Sequence, residues 1–135
     1  MNSRGVAALL LALATQPALA ACPLDLGRGA GWVVFSGGYM IAFQPELGRI
    51  EVGETFVLLV NVCTRDDKAG ELVAVTAEVA ESRHAMSARP RIVVGEDGRH
   101  RVEGLLFDVA GQWEIDFDVR SGGDVERLTH DVIVR

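Results

Sequence analysis

The stretch Trp113–Arg120, WEIDFDVR, alternates apolar and charged residues without a break. Successive side chains of a strand lie on opposite faces, so this pattern predicts a strand with one face in a core and the other in water. A sheet that is solvated on one side is typically antiparallel. The stretch therefore favours an antiparallel sheet covered on one face.

A hairpin follows this strand. Gly122-Gly123 separates it from a second β-rich run, Val125–Val134, and paired glycines are a common hairpin turn. Centring the turn on the two glycines places apolar residues opposite apolar ones and an acid opposite a base, which a slip of one residue would destroy. The predicted pairs are Arg120–Val125, Asp118–Arg127, Phe117–Leu128, Ile115–His130 and Trp113–Val132.

The rest of the chain repeats this pattern of short strands separated by Gly, Pro or charged turns. The long apolar run Thr55–Cys63 predicts a central strand, and Arg49–Val52 predicts a short strand. Leu72–Val79 alternates, with Val73, Val75, Ala77 and Val79 on one face. No segment has helical spacing over three turns. These features predict an all-β fold, an immunoglobulin-like antiparallel β-sandwich of about seven or eight strands.

The N-terminus predicts export. Arg4 precedes the apolar run Val6–Ala14, which is too short to span a bilayer, and Ala18-Leu19-Ala20 has the small-x-small pattern of a cleavage site. We expect a signal peptide over residues 1–20, a flexible lead-in over 21–31 and one domain over 32–135. The mature protein would be periplasmic or secreted, with no membrane span after cleavage.

The two cysteines, Cys22 and Cys63, allow two interpretations. In an exported protein they predict a disulfide, which closes a loop of about 40 residues and stabilises by roughly 4 kcal/mol in the chain-entropy model. Alternatively, Leu19-Ala20-Ala21-Cys22 matches a lipobox. Cys22 would then carry lipid and anchor the protein, and Cys63 would remain a free thiol.

Charge and motifs exclude several functions. The chain carries 13 basic and 19 acidic residues, for a net charge of −6, and has no basic run. Such a chain is a poor binder of nucleic acid or anionic lipid. It has no G-x-S-x-G, S-x-x-K or H-E-x-x-H motif, and no nucleophile is paired with a base. We therefore expect a protein that is not an enzyme.

His84 and Met86 are the sharpest candidates for chemistry. Imidazole and thioether donors together suit copper, and thioether favours Cu(I). A spacing of two places both side chains on the same side of an extended segment. The competing interpretation is a solvated loop that contains both residues by chance.

Other polar residues favour structural roles. His130 falls on the core face of its strand, where a neutral, hydrogen-bonded imidazole is expected. His100 follows a turn and is expected to be exposed, and the three histidines match no zinc-site spacing. Glu114, Asp116 and Asp118 form an acidic stripe that predicts a solvated face. Glu114 would lie opposite Asp131, a pair that could attract Ca²⁺.

Three segments carry a resemblance to a known family. They are a His-x-Met loop ending in Pro at Ser82–Pro90, the strand-like segment Gly98–Phe107 with its Gly-Leu-x-Phe end, and a Gly-x-Trp-Glu strand at Gly111–Asp118. In these the chain, from about Tyr39 to Arg135, resembles the YtkA-like domain, a group of small exported bacterial proteins related to the periplasmic part of FixH.

The resemblance implies an immunoglobulin-like sandwich and a role in copper handling, with His84 and Met86 on the loop proposed to bind copper in the family. The chain departs from the family at two places. Val79-Ala80-Glu81-Ser82 replaces a Met-Pro-x-His stretch, and Asp108-Val109 replaces His-Met. The function we expect is a non-enzymatic periplasmic domain that binds copper weakly, or serves copper handling, through His84 and Met86. The alternative is an assembly module that recognises another envelope protein and binds no metal.

Overall fold

The computed structural model describes Cys22 and residues 31–95 and 98–135. This part of the chain forms eight strands and no helix. The strands are β1 (Trp32–Phe35), β2 (Tyr39–Pro45), β3 (Thr55–Thr64), β4 (Glu71–Val79), β5 (Arg91–Val94), β6 (His100–Leu106), β7 (Gly111–Arg120) and β8 (Val125–Val134).

The strands form two antiparallel sheets. One has five strands in the order β1-β2-β3-β6-β5, and the other has three in the order β4-β7-β8. The long apolar strand β3 lies in the middle of the larger sheet, as its composition predicts. The prediction of an all-β, immunoglobulin-like antiparallel sandwich is confirmed.

The predicted hairpin register is also confirmed. Phe117 pairs with Leu128, Asp118 with Arg127 and Trp113 with Val132, with no break along the β7–β8 ladder. The apolar side chains of β7 are buried and its charged side chains are partly exposed. This register is fixed because one face of β7 belongs to the core.

The core lies between the sheets and is aromatic at its centre. The largest fully buried side chains are Trp113, Phe43, Phe107 and Phe117. Phe107 stacks on Trp113 with 4.4 Å between ring centroids, and Phe43 contacts Phe117 at 4.7 Å. His130 packs at the edge of this group, its ring 5.4 Å from that of Phe43. The prediction that His130 faces the core is confirmed.

Two predictions about strands are wrong. Arg49–Val52 forms no strand and belongs to a turn-rich connection, in which Ile50 and Val52 pack against the core. In β4 the register with β7 shifts between Leu72 and Ala74, because Val73 is an extra, bulged residue. Leu72 is therefore buried and Val73 is exposed, the reverse of the expected faces.

A second bulge depends on a glycine. Between Phe56 and Leu58 the register of β3 with β6 slips by one residue, and β6 accommodates the extra residue near Gly104. Gly104 has a φ of 80°, a left-handed conformation that costs other residues energy. An added Cβ there would meet no atom within 4 Å, so only backbone strain opposes a larger residue.

His100 connects the two sheets. The expectation that it is exposed is wrong: only 3% of its surface is accessible, and its Nε2 accepts a hydrogen bond of 3.2 Å from the backbone N–H of Leu72 in β4. Burial lowers the pKa of His100 below its ordinary value, against smaller opposing effects of the Val60 backbone and the Glu71 charge. The imidazole therefore acts as a neutral acceptor between the sheets.

A disulfide joins Cys22 to Cys63, with 5.7 Å between their Cα atoms. Cys63 lies on β3 and faces away from the core, since its neighbour Val62 faces inward. A sulfur in a disulfide cannot also carry a thioether-linked lipid, so the predicted disulfide is confirmed over the free thiol. The predicted signal peptide and most of the lead-in, residues 1–21 and 23–30, lie outside the described residues.

The disulfide fits a protein of an oxidising compartment outside the cytoplasm. Within the described ranges, no helix is long and apolar enough to cross a membrane.

Replacing Gly104 should test the bulge. We expect Gly104→Ala to lower the free energy of unfolding by about 1–2 kcal/mol, because alanine is strained at this φ. Gly37→Ala is the matched control, since Gly37 also has open space around it but no positive φ. Urea denaturation of the two variants measures both effects, and equal stabilities would show that the bulge imposes no strain.

His100 should make stability depend on pH. Its pKa is lowered by folding, so the unfolded chain binds a proton first as pH falls below about 6.5, and stability decreases from there. The slope is at most about 1.4 kcal/mol per pH unit. We expect His100→Gln, which keeps an acceptor for Leu72, to remove this component in urea unfolding between about pH 7.5 and 5. An unchanged slope would contradict the assignment.

Candidate metal-binding site

His84 and Met86 lie on a short segment that folds back against the end of β4. The backbone N–H of Val79 donates to the carbonyl of His84 (2.8 Å), and that of Met86 donates to the carbonyl of Ala77 (2.9 Å). Ala85 forms a β-bridge with Glu78 between these two bonds. The segment 84–86 thus extends the three-stranded sheet by a few residues beyond β4.

A tight turn makes this return possible. The N–H of Arg83 donates to the carbonyl of Val79 at 2.8 Å, and Arg83 has a φ of 60°, rare for a residue other than glycine. The Arg83 guanidinium binds the carboxylate of Glu78 on the outer face of the sheet. The cation–carboxylate pair and the backbone bonds together hold the turn.

The bridge determines where the side chains of the segment lie. Ala85 is paired with outward-facing Glu78, so His84 and Met86 occupy the alternate, core-side positions beside Val79 and Ala77. Met86 is half-buried and packs against the core. The polar residues around Met86 in the sequence do not indicate this burial. Part of the role of Met86 is therefore to cover the edge of the core.

The His84 imidazole lies beside a carboxylate from another part of the chain. Its Nε2 is 3.1 Å from both Oδ1 and Oδ2 of Asp108, which follows β6. Both groups are open to solvent, with 47% and 39% of their side-chain surfaces exposed. An exposed pair of this kind contributes little to stability. What matters for a binding role is that both groups face solvent side by side.

Trp113 positions both partners. Its ring meets that of His84 edge to face at 6.1 Å, and its indole N–H donates to the carbonyl of Val109 (2.9 Å). Phe107, on the other side of Asp108 in sequence, stacks on the same indole. The residues that flank Asp108 are thus fixed to a fully buried side chain, which holds the carboxylate facing His84.

The spacing of His84 and Asp108 fits a hydrogen bond and is also compatible with two ligands of one metal ion. Two donors bound to one ion at about 2.0–2.1 Å, at angles between square and tetrahedral, lie roughly 2.9–3.4 Å apart. The separation of 3.1 Å between His84 Nε2 and either Asp108 oxygen falls in this range. Within the described ranges, no group of three or more His, Cys, Asp or Glu side chains could hold a metal. Any further protein ligand would be a residue of another type, such as Met86.

Asp108 is the residue that sequence reasoning did not assign to the site. The signal for it was its position in Asp108-Val109, one of the two places where the sequence analysis noted a departure from the expected pattern. The structure brings this step, 24 residues downstream of His84, into contact with the His-x-Met loop.

The other two histidines lie elsewhere. His100 is bonded to Leu72 between the sheets, and His130 lies beside the stacked rings of Trp32 and Phe43. In the part of the chain that the structure describes, the three histidines do not converge on one site.

The acidic stripe of β7 is compensated by the chain itself. Asp118 accepts two hydrogen bonds from Arg127 (2.7 and 3.1 Å), and Asp116 accepts one from Thr129 (2.7 Å). Glu114 does lie opposite Asp131, but Asp131 accepts a hydrogen bond from Gln112. These contacts fit the predicted solvated face, and the described residues hold no acidic cluster suited to Ca²⁺.

No family model matches this chain, and no curated protein is similar enough to match it. Among solved structures, the crystal structure of a DUF4426 family protein from Pseudomonas aeruginosa is similar, with a TM-score of 0.55. The similarity covers 76% of this chain and 93% of that one, at 11% sequence identity. At this identity the likeness shows a shared fold.

Proposed function

We propose that this chain is a non-enzymatic periplasmic β-sandwich protein that binds a copper ion at His84, with Asp108 and Met86 as further ligands. The observation that carries the proposal is the contact between the His84 imidazole and the Asp108 carboxylate, 3.1 Å apart at a solvent-accessible edge. The resemblance of the His84-x-Met86 loop to the YtkA-like family supports the choice of site.

The donor types favour copper over other ions. Imidazole binds copper, zinc, iron and nickel, whereas a thioether selects Cu(I) among the common biological metals. Carboxylate oxygen adds a ligand that also suits the oxidised ion. Met86 lies two residues from His84 on the same side of the bridged segment, and Asp108 contacts His84 from the other sheet.

The exposure of the site favours copper handling over storage. His84 and Asp108 each keep more than a third of their side-chain surface open, and three protein donors leave room for a ligand from outside. A bound ion can therefore pass to a partner protein by ligand exchange, without unfolding of the sandwich.

Copper titration tests the proposal. We expect submicromolar Cu(I) binding, measured against a chromophoric competitor with ascorbate as reductant so that the disulfide stays intact. His84→Ala should abolish binding, and Asp108→Asn should weaken it by about 10–100-fold, as for other metal-site partners. Oxidised copper should quench the fluorescence of Trp113, because its ring contacts that of His84.

Matched controls lie away from the site. His130→Gln removes an imidazole beside Trp32, and Asp124→Asn removes an exposed carboxylate in the turn before β8. Both variants should bind copper as the original chain does. Failure of the original chain to bind copper, or equal affinity after His84→Ala, would refute the site and leave the assembly-module alternative.

The proposed compartment has its own test. We expect the full chain, expressed with its N-terminus in a Gram-negative host, to be recovered from the periplasm starting at Ala21, with Cys22 and Cys63 oxidised. Intact-mass spectrometry measures both features. A chain retained in the cytoplasm with residues 1–20, or one carrying diacylglycerol on Cys22, would contradict the proposal.

A further inference from the structure

Strand β8 forms an edge of the three-stranded sheet. It pairs with β7 on one side, and among the described strands none pairs with its other side. The strand has ten residues with no proline and no lysine, and its register with β7 has no bulge. Proline, lysine and bulges are common devices that prevent edge strands from pairing with another chain. Strand β8 lacks all three, and its one inward-pointing Asp, Glu, Lys or Arg side chain, Glu126, lies near its first end.

The outward face of β8 is symmetric in chemical character about Thr129. Its outward residues, in order, are Val125, Arg127, Thr129, Asp131 and Ile133, so that an apolar residue stands at each end and opposite charges flank the threonine. Val125 is 52% exposed and Ile133 is 71% exposed. Two large apolar side chains are thus open to solvent at the two ends of one edge strand.

We propose that two copies of this protein pair through β8, antiparallel, about a two-fold axis at Thr129. This register places Val125 of each copy opposite Ile133 of the other, Arg127 opposite Asp131, and Thr129 opposite Thr129. Apolar, oppositely charged and Thr–Thr pairs are all favourable across antiparallel strands. The interface is isologous, so each pair off the axis occurs twice.

Other registers lack this complementarity. A shift by one step of the same face brings Arg127 opposite Ile133, or Val125 opposite Asp131. An odd shift would place the outward face of one copy beside the core face of the other. In the proposed register the core-side residues Leu128 and His130 lie opposite each other at the axis, and Glu126 lies opposite Val132 on either side of them.

The existing ion pairs are compatible with the new ones. Arg127 binds Asp118 through Nε and Nη2, while its Nη1 is 3.6 Å from Asp116, beyond hydrogen-bond distance. A guanidinium has five N–H donors, so the two on Nη1 can donate to the Asp131 of the second copy while Nε and Nη2 keep Asp118. Asp131 has two carboxylate oxygens, and Gln112 donates to one of them.

The dimer leaves the candidate copper site free. That site lies beside β4, at the opposite edge of the same sheet from β8. In the resulting six-stranded sheet the two copies of β4 would be separated by five strand spacings, about 24 Å. The two sites therefore cannot share an ion, and the pairing holds or fails independently of copper binding.

Compensating substitutions at Val125 and Ile133 test the register. The two positions are eight residues apart on one strand, about 27 Å, so they cannot interact within one copy. We expect the original chain to form a dimer in analytical ultracentrifugation between about 10 µM and 1 mM. Val125→Glu and Ile133→Lys should each weaken the dimer by about tenfold or more, and the double variant should restore it by placing Glu opposite Lys.

A charge reversal gives a second test. Asp131→Arg should dissociate the dimer because it places Arg opposite Arg127, whereas the control Glu54→Arg makes the same charge change in the connection before β3 and should leave the dimer intact. Circular dichroism checks that each variant is folded. A chain that stays monomeric at about 1 mM, or a double variant no stronger than the single ones, would overturn the proposal.

Discussion

Burial of the Trp113 indole is the interaction on which the core and the candidate site both depend. The side chain is fully buried, stacks on Phe107 and donates its N–H to the carbonyl of Val109. It therefore fixes the end of β6, the turn before β7 and the inward face of β7 at once. The same ring supports the His84 imidazole, so the geometry of an exposed site is set by a residue with no exposure of its own.

The strands could be predicted where side-chain alternation and turn chemistry agree. The β7–β8 register follows from its apolar and charged pairs alone. The bulge at Val73 could not be predicted, because the residue types of a strand do not show which residue is left unpaired. A bulge nevertheless reverses which face is buried on one side of it. Ile50 and Val52 alternate as in a strand, but they cover the core from an irregular connection that has no pairing partner among the described strands.

The candidate site was predictable only within one segment. The spacing of His84 and Met86 places them on one side of an extended chain, and the bridge to β4 provides that extended backbone. Asp108 meets His84 because two loops converge at the same end of the sandwich, a long-range contact that residue spacing does not contain. The burial of His100 also depends on a long-range contact, because its Nε2 accepts a hydrogen bond from the N–H of Leu72 in the facing sheet.

The attachment of residues 84–86 to β4 has a consequence for how a ligand would be held. Two backbone hydrogen bonds, those between Val79 and His84 and between Ala77 and Met86, join this segment to the sheet. Such a short extension can detach by local opening while the sandwich stays folded. A ligand that binds only the attached form stabilises this form against opening. Occupancy would therefore slow the amide hydrogen exchange of Val79 and Met86 more than that of the core strands.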